Sequence, residues 1–342
     1  MNAKYICFFN HKGGVSKTTT AFHLGWKLTD LDRRVLLVDT DAQCNLTGLV
    51  LGRQLNAHYS NPHTQADNIF TALSGVFQGN AISPGRIHCP SHLRNRNLFL
   101  IPGHPDISIF ENQLCLALTG TATFMSQQNQ PGALYALIEQ CCQANQIDYV
   151  IIDMNPALSS LNKVFFSLCD GFVVPTVPDP FCLMALKSLT RVLPSWKRDI
   201  NTFIGSHPSA VLKLPSKQTC FIGEIIQRYS LRNQNPSKSY ESIISEIKAQ
   251  IQNVFVPAMA AAGMAFSAAA GRQLPPNTGK CIAQMPEFLS LLQKATGLEK
   301  PVFALLDSEI GSGAILHASR KKRDSINSSF TNMAQLILTL LP

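Results

Sequence analysis

The residues best suited to chemistry lie near the start of the chain. Asn10-His11-Lys12-Gly13-Gly14-Val15-Ser16-Lys17-Thr18-Thr19-Thr20 follows a short apolar run and leads into a stretch of helical composition. A strand–loop–helix turn aims free backbone N–H groups and the positive end of a helix at one point, which is where anions bind. Gly13 and Gly14 allow the backbone to approach an anion closely. Lys17 would reach the β- and γ-phosphates of a nucleotide, and the Thr18 hydroxyl would ligate Mg²⁺. Val15, Ser16 and Thr19 complete the loop. The strict pattern G-x-x-x-x-G-K-[ST] fails at both glycines, whose positions hold His11 and Ser16.

Two acidic motifs end later apolar runs. Val35 to Val38 leads into Asp39-Thr40-Asp41-Ala42-Gln43-Cys44-Asn45, and Tyr149 to Ile152 leads into Asp153-Met154-Asn155-Pro156. Phosphoryl transfer needs chiefly orientation of water and neutralisation of charge, so carboxylates at such places make chemical sense. An apolar run ending in aspartate is the Walker B arrangement.

These motifs, in this order, resemble the ParA/MinD superfamily of deviant Walker A ATPases. The loop matches K-G-G-x-x-K-[ST]-[ST], with Lys12 in the place of the signature lysine. A bulkier residue such as Ser16 is found there in that superfamily. The segment from Asp39 resembles D-x-D-P-Q-x-N, with Ala42 replacing the proline. Pro156 and Asn162 match the segment after Walker B. Ile101 to His104 and Asp170 to Pro175 are family-like, and Phe221 to Tyr229 looks like the late strand whose end contacts the base. The similarity spans roughly residues 3–340, with 52–97 the least clear. The phosphate loop begins at residue 10, so the N-terminal helix-turn-helix of larger plasmid relatives is not expected.

The resemblance implies ATP and Mg²⁺ as ligands. It implies Lys12, Lys17 and Asp41 as the catalytic residues, with Asp41 positioning the attacking water. Residues 12–19 hold the nucleotide. Thr18 and Asp153 serve the metal, with Asp39 near its outer shell. It further implies an ATP-dependent homodimer in which Lys12 of one copy reaches the phosphates of the other. Hydrolysis is slow until a ParB-like partner activates it.

The elements that must position these residues can be read from periodicity. Lys4 to Phe9, Val35 to Val38, Leu98 to Ile101, Tyr149 to Ile152, Phe172 to Val174, Cys220 to Ile226 and Val302 to Leu305 are short apolar runs without polar alternation. They predict strands buried on both faces. Helical stretches between them, such as Thr18 to Leu28, Ile107 to Leu118 and Ala133 to Gln143, predict βαβ units. The expectation is an α/β fold with a mostly parallel, twisted sheet flanked by helices. It forms one domain over 1–342, with an insertion at 52–97 carrying a helix near Ala66 to Leu73. A helical elaboration covers about 236–342.

Composition narrows the partners. Hydrophobic residues make up 45% of the 342-residue chain, enough for a large core. No segment approaches the roughly 18 uninterrupted apolar residues of a membrane span, and no secretory leader is visible, so a soluble cytoplasmic protein is expected. The ten cysteines form no C-x-x-C pair and read as buried thiols. The net charge of +8 is uneven: residues 151–342 hold 19 Lys+Arg against 12 Asp+Glu, whereas residues 1–150 hold 10 against 9. Arg320-Lys321-Lys322-Arg323 is the densest basic cluster, with Lys294, Lys300 and Arg272 as possible extensions. Relatives bind DNA non-specifically through such residues, which makes this cluster the candidate DNA contact and association with the nucleoid the expected location. Two alternatives stay open. A MinD-like membrane-surface switch needs a basic amphipathic tail, and Phe330 to Pro342 contains no Lys or Arg. A metabolic relative would need a second small-molecule pocket that no motif marks.

Overall fold

A computed structural model describes residues 3–119, 125–232, 235–236, 238–266 and 280–342. Its strands are β1 (Lys4–Phe8), β2 (Val35–Asp39), β3 (Ser91–His92), β4 (Asn95–Ile101), β5 (Tyr149–Asp153), β6 (Gly171–Thr176), β7 (Cys220–Gln227), β8 (Leu231–Arg232), β9 (Asn235–Pro236) and β10 (Cys281–Met285). Eight of them form one sheet in the order β10-β7-β6-β1-β5-β2-β4-β3, while β8 and β9 make a separate antiparallel pair. Every pairing in the large sheet is parallel except that of β3 with β4.

The two-residue alternation of a strand divides each apolar run between two cores. Tyr5, Cys7 and Phe9 enter one, with Leu36, Val38, Val150 and Ile152. Ile6 and Phe8 enter the other, with Val35, Leu37, Tyr149 and Ile151. The first core is closed by helices α4 (Ile69–Phe77), α5 (Phe110–Leu118), α6 (Met125–Asn145), α7 (Ser160–Ser167), α8 (Pro180–Ser206), α9 (Lys238–Gln250) and α10 (Val256–Ala261). The second is closed by α1 (Lys17–Thr29), α2 (Asn45–Leu51), α11 (Ser290–Gly297), α12 (Asp307–Ile310) and α13 (Gly313–Leu340), with Leu55 of α3 (Leu55–Ser60) packed at its margin. Each fully buried Leu, Ile or Phe contributes about 1.5–3 kcal/mol of transfer free energy. Continuous apolar strands are therefore stable only when both faces are covered. Gly25 lets α1 lie against the sheet, since a Cβ there would come within 2.8 Å of Leu37.

Parallel strands point their carboxyl ends the same way. The loops after β1, β2, β5, β6 and β7 therefore open on one edge, where open α/β sheets bind ligands.

Two expectations need correction. Val302 to Leu305 is a 3₁₀ turn over Val302–Ala304, not a strand. Val302 and Leu305 are buried, but the Val302 N–H donates to His23 Nε2 at 3.0 Å, leaving no ladder to join. The sheet is completed instead by β10, whose half-buried residues gave no continuous apolar signal, and by the two-residue β3. The 52–97 stretch is more structured than a polar insertion: α3, α4 and β3 lie within it, and Ile69, Leu73, Val76 and Phe77 enter the core. The tail behaves as an apolar core element, with Phe330, Met333, Ile337 and Leu340 buried. Among the described residues no helix is long and apolar enough to cross a membrane.

Candidate nucleotide site

The loop between β1 and α1 is built from its two ends. Asn10, fully buried, donates from Nδ2 to Pro175 O at 2.9 Å and accepts the Lys12 N–H on Oδ1 at 3.0 Å. Gly14 has φ +74°, a left-handed turn that glycine adopts without strain. Ser16 is also left-handed, at φ +60°, and stands immediately before α1. Its position is one where the strict motif has glycine, and the serine is held there by its neighbours. Its carbonyl accepts both the Thr20 N–H, at 3.0 Å, and the Thr20 hydroxyl, at 2.8 Å. Gln227 at the end of β7 donates to Val15 O at 3.2 Å, tying the loop to a strand end two places along the sheet.

Lys17 is 8% exposed and lies back along the loop, donating to Asn10 O at 3.0 Å and Lys12 O at 3.4 Å. Burial lowers its pKa, and the carboxylates of Asp153 and Asp41 oppose that shift. Lys12 points elsewhere, in an ion pair with Asp179 at the head of α8. His11 Nδ1 is buried without a hydrogen-bond partner among the described residues. Burial and then the Lys17 charge hold the imidazole below its usual pKa.

The acidic motifs converge on the same edge. Asp39 and Asp153 are register partners on β2 and β5. Asp39 is committed to its own turn: Oδ2 accepts the Thr47 N–H and hydroxyl, both at 2.7 Å, and Oδ1 accepts the Asp41 N–H at 3.2 Å. Burial raises it to about 6. Asp153 differs. It is 1% exposed, and neither carboxylate oxygen has a hydrogen-bond partner among the described residues. Burial first, then the nearby Asp39 charge, push it up to about 8, with Thr18 and Lys17 opposing. A buried carboxylate left unsatisfied is costly unless a cation compensates it, so Asp153 beside Thr18 fits a Mg²⁺ site. Asn162 braces the segment after Asp153, donating to Asn155 O, Asn155 Oδ1 and Ala157 O at 2.7–3.0 Å.

Gly13 to Thr19 line a cleft of about 640 Å³ with Asp41, Gln43, Asn45, Pro156 and Arg228. A side recess of about 200 Å³ adjoins it, bounded by Ser16, Thr19, Gln227, Arg228 and Met285 to Leu289. The cleft brings Lys17, Thr18 and Asp41 together, and Gln227 at the end of β7 lines the recess. Sequence reasoning missed Asp179 and Arg228. Asp179 was detectable only as an aspartate before Pro180. Arg228 was a lone cation ending a strand.

The basic cluster lies on α13, and its two arginines are engaged by acids. Arg320 pairs with Asp307, and Arg323 reaches Asp307 and Asp324, each at 2.9 Å. Burial lowers the Lys322 pKa, and Glu287 opposes that shift. Lys294 donates to Ile310 O at 2.9 Å, and Lys300 pairs with Glu309 at 2.7 Å. Arg272 lies outside the described residues. The ten cysteines are free thiols, and no group of three or more His, Cys, Asp or Glu among the described residues could hold a metal.

A mostly parallel sheet with a glycine- and lysine-bearing loop between its first strand and first helix, and aspartates at two further strand ends, defines a P-loop nucleoside triphosphatase fold. A family model described as AAA_31, an AAA domain, matches residues 3–205. The chain belongs to that family and, by its deviant loop, to the ParA/MinD superfamily. The family match stops short of the 3–340 span expected from the motifs. An uncharacterized protein of Mycobacterium tuberculosis is 31% identical over 199 residues, which cover 58% of this chain and 54% of that protein. The chromosome partitioning protein ParA of Myxococcus xanthus is 30% identical over 198 residues, covering 58% and 60%. The aligned part thus spans little more than half the length of these relatives. The solved structure of Cyanothece apo McdA superposes with a TM-score of 0.59 at 19% identity, over 96% of this chain and 99% of that one, a likeness of fold alone.

Proposed function

We propose that this chain is an ATP-driven dimerisation switch with slow, Mg²⁺-dependent hydrolysis of ATP. In the ATP state it binds DNA non-specifically, to partition or position DNA or another cargo. A ParB-like partner accelerates its turnover. The observation that carries the reading is Lys12: a second lysine on the phosphate loop that does not line its own cleft, as Lys17 does, but pairs with Asp179 at the head of α8. A lysine so placed is available to a nucleotide held by a facing copy. The relatives with partitioning names support the biological setting.

Residues 12–19 hold the triphosphate through backbone N–H groups, and Lys17 exchanges its contacts with Asn10 O and Lys12 O for phosphate oxygens. Thr18 and Asp153 would hold Mg²⁺, directly and through water, with Asp39 behind them in the outer shell. The ion would neutralise charge on the β- and γ-phosphates. Asp41, in the cleft, orients the attacking water. Because γ-phosphate contacts favour the dimer and hydrolysis removes them, the equilibrium between monomer and dimer follows the nucleotide state.

The test is DNA binding with ATP, ADP or no nucleotide, each with Mg²⁺, across a salt series. ATP-specific binding whose affinity falls steeply with salt is expected. Binding that ignores the nucleotide, or no binding at low salt, would remove DNA from the proposal.

A further inference from the structure

The cleft and the side recess share four lining residues, Ser16, Thr19, Arg228 and Leu292, and Arg228 alone among them is charged. The cleft follows the phosphate loop. The recess is walled by Met285, Pro286 and Phe288, an apolar lining suited to a base. A nucleotide with its phosphates on the loop and its base in the recess would pass its α-phosphate and sugar through their junction.

Arg228 is held at that junction by its backbone. It follows the last residue of β7 and has φ +57°, a left-handed conformation that a side chain of this size adopts only at a cost. Its N–H donates to Met285 O at 3.1 Å, anchoring it to the end of β10. The guanidinium lies over the phosphate loop, and Nη1 donates to Gly14 O. A Cβ on Gly14 would come within 3.4 Å of that nitrogen, so a side chain there would crowd the arginine. Arg228 is exposed and makes no ion pair among the described residues. A guanidinium has five donors in a planar fork and stays charged at any ordinary pH. The remaining donors are free to meet an anion.

We propose that Arg228 is a nucleotide-binding residue whose guanidinium contacts the α-phosphate of a bound nucleoside di- or triphosphate. The assignment rests on the nucleotide-binding reading of the phosphate loop and adds to it a contact from the end of β7, two strands away from β1 on the same edge. It makes a specific demand. ADP and ATP both carry an α-phosphate, so loss of Arg228 weakens both alike, whereas a contact to the γ-phosphate would weaken ATP only.

The experiment measures the affinity of ATP and ADP, with Mg²⁺, by calorimetry for wild type, Arg228→Gly, Arg228→Lys and Lys17→Ala. Glycine suits φ +57°, so Arg228→Gly is expected to melt no lower than wild type, and its binding defect is then not a folding defect. A charge-assisted hydrogen bond of the usual strength corresponds to a loss of about 10- to 100-fold for both nucleotides, with Arg228→Lys recovering part of it. Arg228→Gly binding both nucleotides within about twofold of wild type would overturn the proposal while leaving the loop reading intact, because Lys17→Ala would still lose them. A loss confined to ATP would overturn the α-phosphate assignment. A wild-type chain that binds neither nucleotide would overturn the loop reading and this proposal together.

Discussion

Lys12 is ion-paired to Asp179 of its own chain, and the two halves of the Asp179 carboxylate do different jobs. Oδ2 meets the lysine, while Oδ1 caps α8 by accepting the Cys182 N–H at 2.9 Å. The lysine proposed to act on a facing copy is thus held in place before any partner arrives. Both side chains are part-exposed, at 23% and 32%, and such a pair is worth only about 0–1 kcal/mol. The hold is weak enough for a phosphate to displace. Asp179→Asn keeps a capping side chain and removes the charge. It should lower the ATP concentration needed for half-maximal dimerisation by up to about fivefold, as read by sedimentation. Lys12→Ala should bind ATP yet stay monomeric; a normal ATP-induced dimer of that variant would sink the switch.

Asp41 lines the cleft and is bonded within its own turn, accepting the Gln43 N–H at 3.0 Å. If it orients the attacking water, Asp41→Ala should accumulate as the ATP-bound dimer with turnover reduced at least about 100-fold. Single-turnover hydrolysis at the wild-type rate would take that role from Asp41.

Thr47 joins the acidic turn to the 52–97 stretch. Its hydroxyl donates to Asp39 and accepts the Gly103 N–H at 2.8 Å, and Tyr59 of α3 donates to Gly103 O. Thr47→Val leaves the buried Asp39 carboxylate short of a donor, at a cost of about 1–3 kcal/mol. Thr47→Ser, which keeps the hydroxyl, should melt near wild type. Equal melting temperatures for the valine and serine variants would show that the chain of bonds carries no stability.

Glu224 is buried in β7, with both oxygens unpartnered among the described residues, and burial pushes its pKa from 4.5 up to about 8. The titratable groups facing it are Lys248 and Cys281, both opposing the rise. With the folded pKa above the unfolded one, the folded chain binds more protons between these values. The contribution to stability is then whole below about pH 4.5 and is lost as pH rises through about 8. Glu224→Gln should match wild type near pH 5 and exceed it near pH 8.5 in thermal melts. A constant difference across that range would show that Glu224 does not titrate in the fold.

Arg320 and Arg323 hold Asp307, so Arg320→Gln with Arg323→Gln should lower the melting temperature as well as any DNA affinity. Lys321→Gln with Lys322→Gln should reduce the salt slope of DNA binding by about 1.8 if both contact phosphates. Full DNA binding by a variant neutral at all four positions would place the interface elsewhere.

The phosphate loop, the aspartates at strand ends and six of the eight sheet strands arise from local patterns, and such patterns are visible in a sequence read alone; the two-residue β3 is too short to leave one. Apolar runs declare strands covered on both faces, and glycines beside lysines declare an anion-binding turn. The strand β10 escaped because its exposed Gln284 and half-buried neighbours broke the run. Val302 to Leu305 misled because burial in a turn leaves the same apolar signature as burial in a strand. The order of strands decided the rest. Lys12 and Asp179 are 167 residues apart, and Gly14 and Arg228 are 214 apart. They meet because β6, β1 and β7 end on one edge. Arg320 and Arg323 look free in sequence, yet they are partly neutralised because α13 runs past Asp307. The loop residues Asn10 to Thr20 define what is bound. The tertiary structure decides which charges face the ligand, since contacts between distant residues follow topology and not spacing.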